Sequence, residues 1–106
     1  MGEIHWLLPW RRLDKRAVLD AAQTLAARME DVSIEVDEEE PGCVSCLFIV
    51  EDPEEPYVVE LSFYEVDGDV VLALEEEWAD NADAWDAACG IAEEMAEVVG
   101  GQQLEL

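Results

Sequence analysis

Tyr57-Val-Val-Glu-Leu-Ser-Phe-Tyr64, followed by Glu65-Val66, the dipeptide Asp67-Gly68 and Asp69-Val-Val-Leu-Ala-Leu74, decides the fold of this chain. Tyr57, Val59, Leu61 and Phe63 alternate with Val58, Glu60, Ser62 and Tyr64. That period of two marks a strand with one buried face, because successive side chains of a strand point to opposite sides. Asp67-Gly68, set between two β-rich runs, reads as a two-residue type I′ hairpin turn, in which both central residues need positive φ. Val70, Leu72 and Leu74 then form the returning strand.

The same period appears upstream, where Val32, Ile34 and Val36 alternate with Ser33, Glu35 and Asp37. Glu38-Glu39-Glu40-Pro41-Gly42 reads as the exit loop of that strand. Val44 to Val50 is apolar at nearly every position, the pattern of a central strand covered on both faces. Asp52-Pro53-Glu54-Glu55-Pro56 breaks it before the strand at Tyr57.

Helices flank this block. Met1 to Leu13 reads as an extended arm, with Ile4, Trp6 and Leu8 alternating and Pro9-Trp10 ending the run, suited to adding an edge strand. Asp14 is the expected N-cap of the first helix, since its carboxylate can accept from an otherwise unpaired backbone N–H. Leu13 and Val18 occupy the positions of a hydrophobic staple. Val18, Ala21, Ala22, Leu25 and Met29 recur at helical spacing and carry the helix to about Met29. A second helix is expected from a cap at Asp80, with Trp85, Ala88, Cys89, Ala92, Met95, Ala96 and Val99 on one side. Gly100-Gly101 ends it by permitting a left-handed C-cap.

The element order is α-β-β-β-β-α. Short connections make the simplest arrangement a four-stranded antiparallel meander with both helices on one face, an α+β two-layer sandwich. The 106 residues give one domain, with neither an internal repeat nor a low-complexity linker.

Charge is distributed as unevenly as structure. All five basic residues (Arg11, Arg12, Lys15, Arg16 and Arg28) lie in the first 28 positions, and the remainder of the chain holds 25 of the 28 acidic residues. Two like charges roughly 10 Å apart in water repel by about 0.4 kcal/mol before screening. Many such pairs oppose compaction, but 51% apolar residues, four Trp among them, supply enough burial for a folded core. A surface this negative repels nucleic acid phosphates and anionic headgroups, and attracts proteins with basic surfaces. Solubility, or adaptation to a salty cytoplasm, is the alternative meaning, although acids spread for that purpose would not spare a basic N-terminal stretch. No apolar run approaches the roughly 18 residues of a membrane span, and no signal-peptide order of regions opens the chain, so a cytoplasmic location is expected. Three cysteines, an odd number, do not form a disulfide framework.

In a meander the strand ends alternate between two poles, which gathers acids distant in sequence. One pole is expected to hold Glu51, Asp52, Glu54 and Glu55 with Glu75, Glu76 and Glu77, joined by Asp80 and Asp83. The other is expected to hold Asp37, Glu38, Glu39 and Glu40 with Asp67 and Asp69. If Val32, Val59, Leu61, Phe63 and Leu72 point inward, Glu35, Glu60, Ser62, Tyr64, Val71 and Ala73 point outward, joined by one side of the Val44–Val50 strand such as Leu47 and Ile49. An apolar patch with an acidic border results, the character of a protein-binding surface or of a homodimer interface. The competing possibility is that the arm, with Trp6 and Trp10, folds over this face and buries it.

Catalytic and metal signatures are weak. Cys43-Val-Ser-Cys46 has metal-like spacing, but a zinc site needs two further ligands, with Cys89, the single His5 and carboxylates to choose from. Residues three apart on a strand face opposite ways, so the pair reads as ordinary structural cysteines. His5 has no recognisable nucleophile partner, and Asp67-Gly-Asp69 is too short for a calcium loop. No cofactor and no catalytic activity are expected. The sequence reading is a small inhibitor that occupies a basic surface of a partner protein, of the physical type of immunity proteins that neutralise a cognate toxin. A phage-type DNA mimic and an acidic dimeric secretion or assembly chaperone are the alternatives. No motif assigns the chain to any of these families.

Overall fold

The computed structural model describes the backbone of residues 3–51, 53–54, 56–75 and 82–104, and their side chains except those of Glu39, Ala82, Asp83 and Ala84. Asp67 and Gly68 adopt φ of 51° and 84°, as a type I′ turn requires. They join two antiparallel strands, Tyr57–Val66 and Asp69–Glu75. In chain order the elements are β1 (Glu3–Leu8), α1 (Lys15–Ala26), β2 (Val32–Glu40), β3 (Cys43–Val50), β4 (Tyr57–Val66), β5 (Asp69–Glu75), α2 (Ala82–Val99) and β6 (Gln102–Gln103). The protein is an α+β fold with a six-stranded antiparallel sheet ordered β2-β3-β4-β5-β1-β6.

The sheet therefore has two strands beyond the four expected. The arm supplies β1, which pairs with β5 from Glu3 opposite Glu75 to Leu8 opposite Val70. It is not the edge, because β6 pairs on its other side. β6 owes its position to the end of α2. Gly100, at φ 75°, donates its N–H to the Glu97 carbonyl, and Gly101 donates to the Ala96 carbonyl. These two bonds form a Schellman cap that turns the chain back along β1. At Gly101 a Cβ would stand 2.9 Å from the Leu8 side chain and 3.3 Å from that of Trp6, so a larger residue would have to displace the Leu8 methyl and crowd Trp6 as the backbone passes.

Two boundaries differ from the sequence reading. α1 stops at Ala26 rather than near Met29, and its tail tightens into bonds from Arg28 to the Leu25 carbonyl and from Met29 to the Ala26 carbonyl. β2 continues through Glu38 and Glu40, residues expected in a loop. A bulge between them lets the ladder extend to a turn at Pro41-Gly42, where Gly42 has φ 85°. The start of α1 is as expected, with the Asp14 side chain accepting from the Arg16 N–H at 3.0 Å. The expected cap at Asp80 lies outside the described residues.

One row of side chains from every long strand makes the core. Val44, Cys46 and Phe48 of β3 lie beside Phe63, Leu61 and Val59 of β4, and Leu72 of β5 lies between Phe63 and Trp6. All are buried. Val18, Ala22 and Leu25 of α1 and Ala88, Ile91, Ala92 and Met95 of α2 belong to the same apolar cluster. α1 packs against β2 and β3, α2 against β4, β5 and β1, and the helices touch each other.

Candidate protein-binding surface

The alternate residues of the same strands form a second row, and the pairing registers place them side by side. Glu35, Leu47 and Glu60 lie across β2, β3 and β4, while Ser33, Ile49 and Val58 lie across the same strands in the next row. Cys43, Tyr64, Val71 and Leu7 lie across β3, β4, β5 and β1. Between them, Asp37, Ser45, Ser62, Ala73 and His5 cross five strands.

Hydrogen-bond phase fixes how close these neighbours stand. The Glu65 N–H donates to the Gly42 carbonyl, which makes Cys43–Tyr64, Ser45–Ser62, Leu47–Glu60 and Ile49–Val58 the non-hydrogen-bonded pairs of β3 and β4. In such pairs the side chains approach most closely, with Cα atoms about 4.5 Å apart. Leu47 is thus held directly beside the Glu60 stem and one strand from Glu35.

Apart from Ser45 and Ala73, which are buried in the middle of it, this face is more open than the core face. Leu7, Leu47, Ile49, Tyr64 and Val71 are only half-buried, and Val58 is 45% exposed. Glu35, Asp37 and Glu60 are exposed. The apolar run of β3 is therefore not covered equally on both faces, contrary to the reading of its sequence. Nor does the arm fold over the open face. Trp6 is buried in the core row, and Trp10 stacks on Phe63 with ring centroids 6.0 Å apart.

Tyr64 titrates as expected for a hydroxyl among negative groups. Its hydrogen bond with Ser62 acts to lower the pKa. Burial and the negative charges of Glu75, Cys43 and Glu60 outweigh it, so the phenol is raised above its ordinary value. Cys46, on the core row, is pushed up to about 12 by burial. The two thiols of the Cys43-Val-Ser-Cys46 motif belong to opposite faces of β3, and no metal-ligating cluster of three or more side chains gathers among the described residues.

The acidic poles take partial shape. At one end the Glu51 N–H donates to the Asp31 carbonyl at 2.9 Å, and Glu75 stands opposite Glu3. Glu54 is exposed. Asp52, Glu55, Glu76 and Glu77 lie outside the described residues, as does the Glu39 side chain. At the other end, exposed Glu38 and Glu40 belong to β2, and Glu65, Asp67 and Asp69 surround the β4–β5 turn. The Glu65 carboxylate accepts from the Leu13 N–H at 2.7 Å, which brings the Arg11-Arg12 segment to this end. The sequence reading omitted Val58, Leu7 and His5 from the open face. Val58 follows from the β4 alternation, while Leu7 and His5 follow from the arm's alternation once the arm is a strand of the sheet.

Comparison with known protein families, with characterised proteins and with solved structures finds no match for this chain. Among the described residues no helix is long and apolar enough to cross a membrane. The class defined by fold and surface is an acidic α+β protein whose sheet carries an apolar strip bordered by carboxylates.

Proposed function

We propose that this protein is a stoichiometric binder: a small acidic inhibitor that docks the open face of its sheet on a basic surface of a partner, as an immunity protein does with its toxin. The observation that carries this reading is the row Glu35–Leu47–Glu60, with Ile49 in the neighbouring row and Tyr64 and Val71 two rows away on the same face. Both helices serve the core row, so the opposite face is left to a partner. Apolar centre and charged border divide the work of binding. Burying Leu47 and Ile49 supplies affinity, while the carboxylates steer a basic partner and raise its association rate. The partner-binding set is Leu47, Ile49 and Tyr64 as anchors, with Glu35, Asp37 and Glu60 beside them and Glu38, Glu40, Glu51, Glu54 and Glu75 as the outer field.

The apolar centre favours this reading over mimicry of duplex DNA, whose charge density of about one per 1.7 Å of axis leaves no room for an uncharged strip. The border also opposes a dimer formed face to face, which would set like charges together, and so weighs against the dimeric chaperone. Titration against the product of the gene adjacent to its own, at low and at physiological salt, tests the proposal. A one-to-one complex that weakens with salt and is lost in Leu47→Arg is expected. Absence of binding at low salt, or full binding by Leu47→Arg, overturns it. A complex in which bound DNA is displaced supports the mimic instead, and a dimer of the protein without partner supports the chaperone.

A further inference from the structure

We infer that the free edge of β2 is a strand-addition site for an extended segment of the partner in which basic and apolar residues alternate. This rests on the reading of the protein as a binder of basic partners, and specifies how part of that partner is held.

β2 ends the sheet, and no described strand pairs beyond it. The phase of its hydrogen bonds follows from one contact. The Glu51 N–H donates to the Asp31 carbonyl, and Asp31 and Glu51 continue the register in which Val32 stands opposite Val50. Hydrogen-bonded and non-hydrogen-bonded pairs alternate along an antiparallel ladder. Ser33, Glu35 and Asp37 are therefore bonded to β3, whereas Val32, Ile34 and Val36 turn their N–H and C=O groups to the open edge. The same three residues are only half-buried and pack against the margin of the core.

An added strand would thus find two different rows. On the core side it would meet Val32, Ile34 and Val36, next to α1, and apolar residues there would extend the buried layer. On the open side it would meet Ser33, Glu35 and Asp37, where lysine or arginine would stand opposite carboxylates. Opposite charges across a strand pair are favourable and like charges unfavourable, by roughly 0.2–1 kcal/mol each. A second copy of β2 added antiparallel would set carboxylates opposite each other in each register about its middle: Asp37 against Asp31, Glu35 against Glu35, or Glu35 against Asp37. The acids therefore close this edge to self-association while leaving it open to a basic strand. The bulge between Glu38 and Glu40 limits the regular edge to the Val32–Glu38 segment.

The test uses the intact protein and three blocked synthetic peptides of equal length. The first alternates lysine and valine. The second has the same composition in two blocks. The third is the alternating peptide, N-methylated at the residues that would donate to β2. Backbone amide hydrogen exchange and chemical shifts are followed by NMR. The expected result is slowed exchange at Val32, Ile34 and Val36 with the alternating peptide, at least tenfold weaker binding of the block peptide, and loss of protection with the N-methylated one. Equal binding of the alternating and block peptides, with shifts spread over both acidic poles, overturns the proposal by showing charge attraction alone. Shifts confined to Leu47, Ile49 and Tyr64 overturn it too, and in that case the binding of basic partners by the open face stands without the edge.

Discussion

Trp10 lies against Phe63 with ring centroids 6.0 Å apart and planes 10° from parallel. Phe63 is fully buried beside Val44 and Leu72, so the contact carries the chain after Pro9 onto the core side of the sheet. Both tryptophans of the N-terminal segment are thereby committed to the core, and the half-buried Leu47 and Ile49 remain at the surface. The decision between a covered and an open sheet face thus rests on a segment remote in sequence from Leu47 and Ile49.

Trp10→Ala removes a partly buried ring and its stacking partner's cover. The expected loss is about 2–3 kcal/mol of stability, below that of a fully buried tryptophan but above an ordinary surface change. Urea unfolding measures it. The backbone signals of Leu47 and Ile49 should stay unchanged, since the lost ring lies on the opposite face. A loss under about 0.5 kcal/mol would contradict the packing described.

Asp14 caps α1 through its side chain, which accepts from the Arg16 N–H at 3.0 Å. No acidic residue in the first turn assists it. Asp14→Ala should therefore cost about 1 kcal/mol, and Asp14→Asn should retain most of the stability because it keeps an acceptor at the cap. Paired urea titrations of the two variants check both expectations. Equal losses would assign the effect to the charge at the helix N-terminus rather than to the hydrogen bond.

Much of this architecture could be read from particular residues. Asp67-Gly68 defines its turn by itself, since few dipeptides accept two positive φ values, and the alternation about it assigns Tyr64 and Glu60 to one face. Asp14 likewise marks its helix. Gln102–Gln103 carries no strand pattern, and its pairing arises from the Schellman turn and the close passage of Gly101 over Leu8 and Trp6. Glu38 and Glu40 read as loop because their side chains are charged, whereas the ladder that holds them is made by the backbone. The run Val44–Val50 misled in a more instructive way. A strand covered on both faces and a strand with one half-open face have the same composition, so only the half-burial of Leu47 and Ile49 separates them.

Cys46 supplies a pH-dependent element of stability. Burial pushes its thiol from 9.0 up to about 12, so between those values the unfolded chain loses a proton that the folded protein keeps. The folded state then binds more protons, and stability falls as pH rises. The contribution is fully present below pH 9 and is lost toward pH 12, on the order of 4 kcal/mol over the window. Alkaline unfolding of the wild type should consequently be steeper in that range than that of Cys46→Ala. In the native protein at neutral pH, Cys46 should also resist thiol reagents that modify it after unfolding. Parallel alkaline slopes for the two proteins would refute the assignment.

Salt should stabilise this protein. At a net charge of −23 the native state confines its carboxylates more closely than the unfolded chain does, and screening lowers that cost. The urea midpoint is expected to rise with sodium chloride, most steeply below about 0.1 M, where the Debye length is still about 10 Å or more. Guanidinium chloride is unsuitable because it is itself a screening salt. Glu3 and Glu75 give the effect a local probe, since they stand directly opposite each other on β1 and β5. Glu3→Gln should stabilise by roughly 0.2–1 kcal/mol at low salt, the scale of a like-charge cross-strand pair, and by much less near 1 M. A midpoint that falls with salt would mean that attraction between the Arg11–Arg28 segment and the acidic surface outweighs the repulsion among carboxylates. Glu3→Gln would then destabilise, because it removes a carboxylate from the attracting set rather than a charge from a repelling pair.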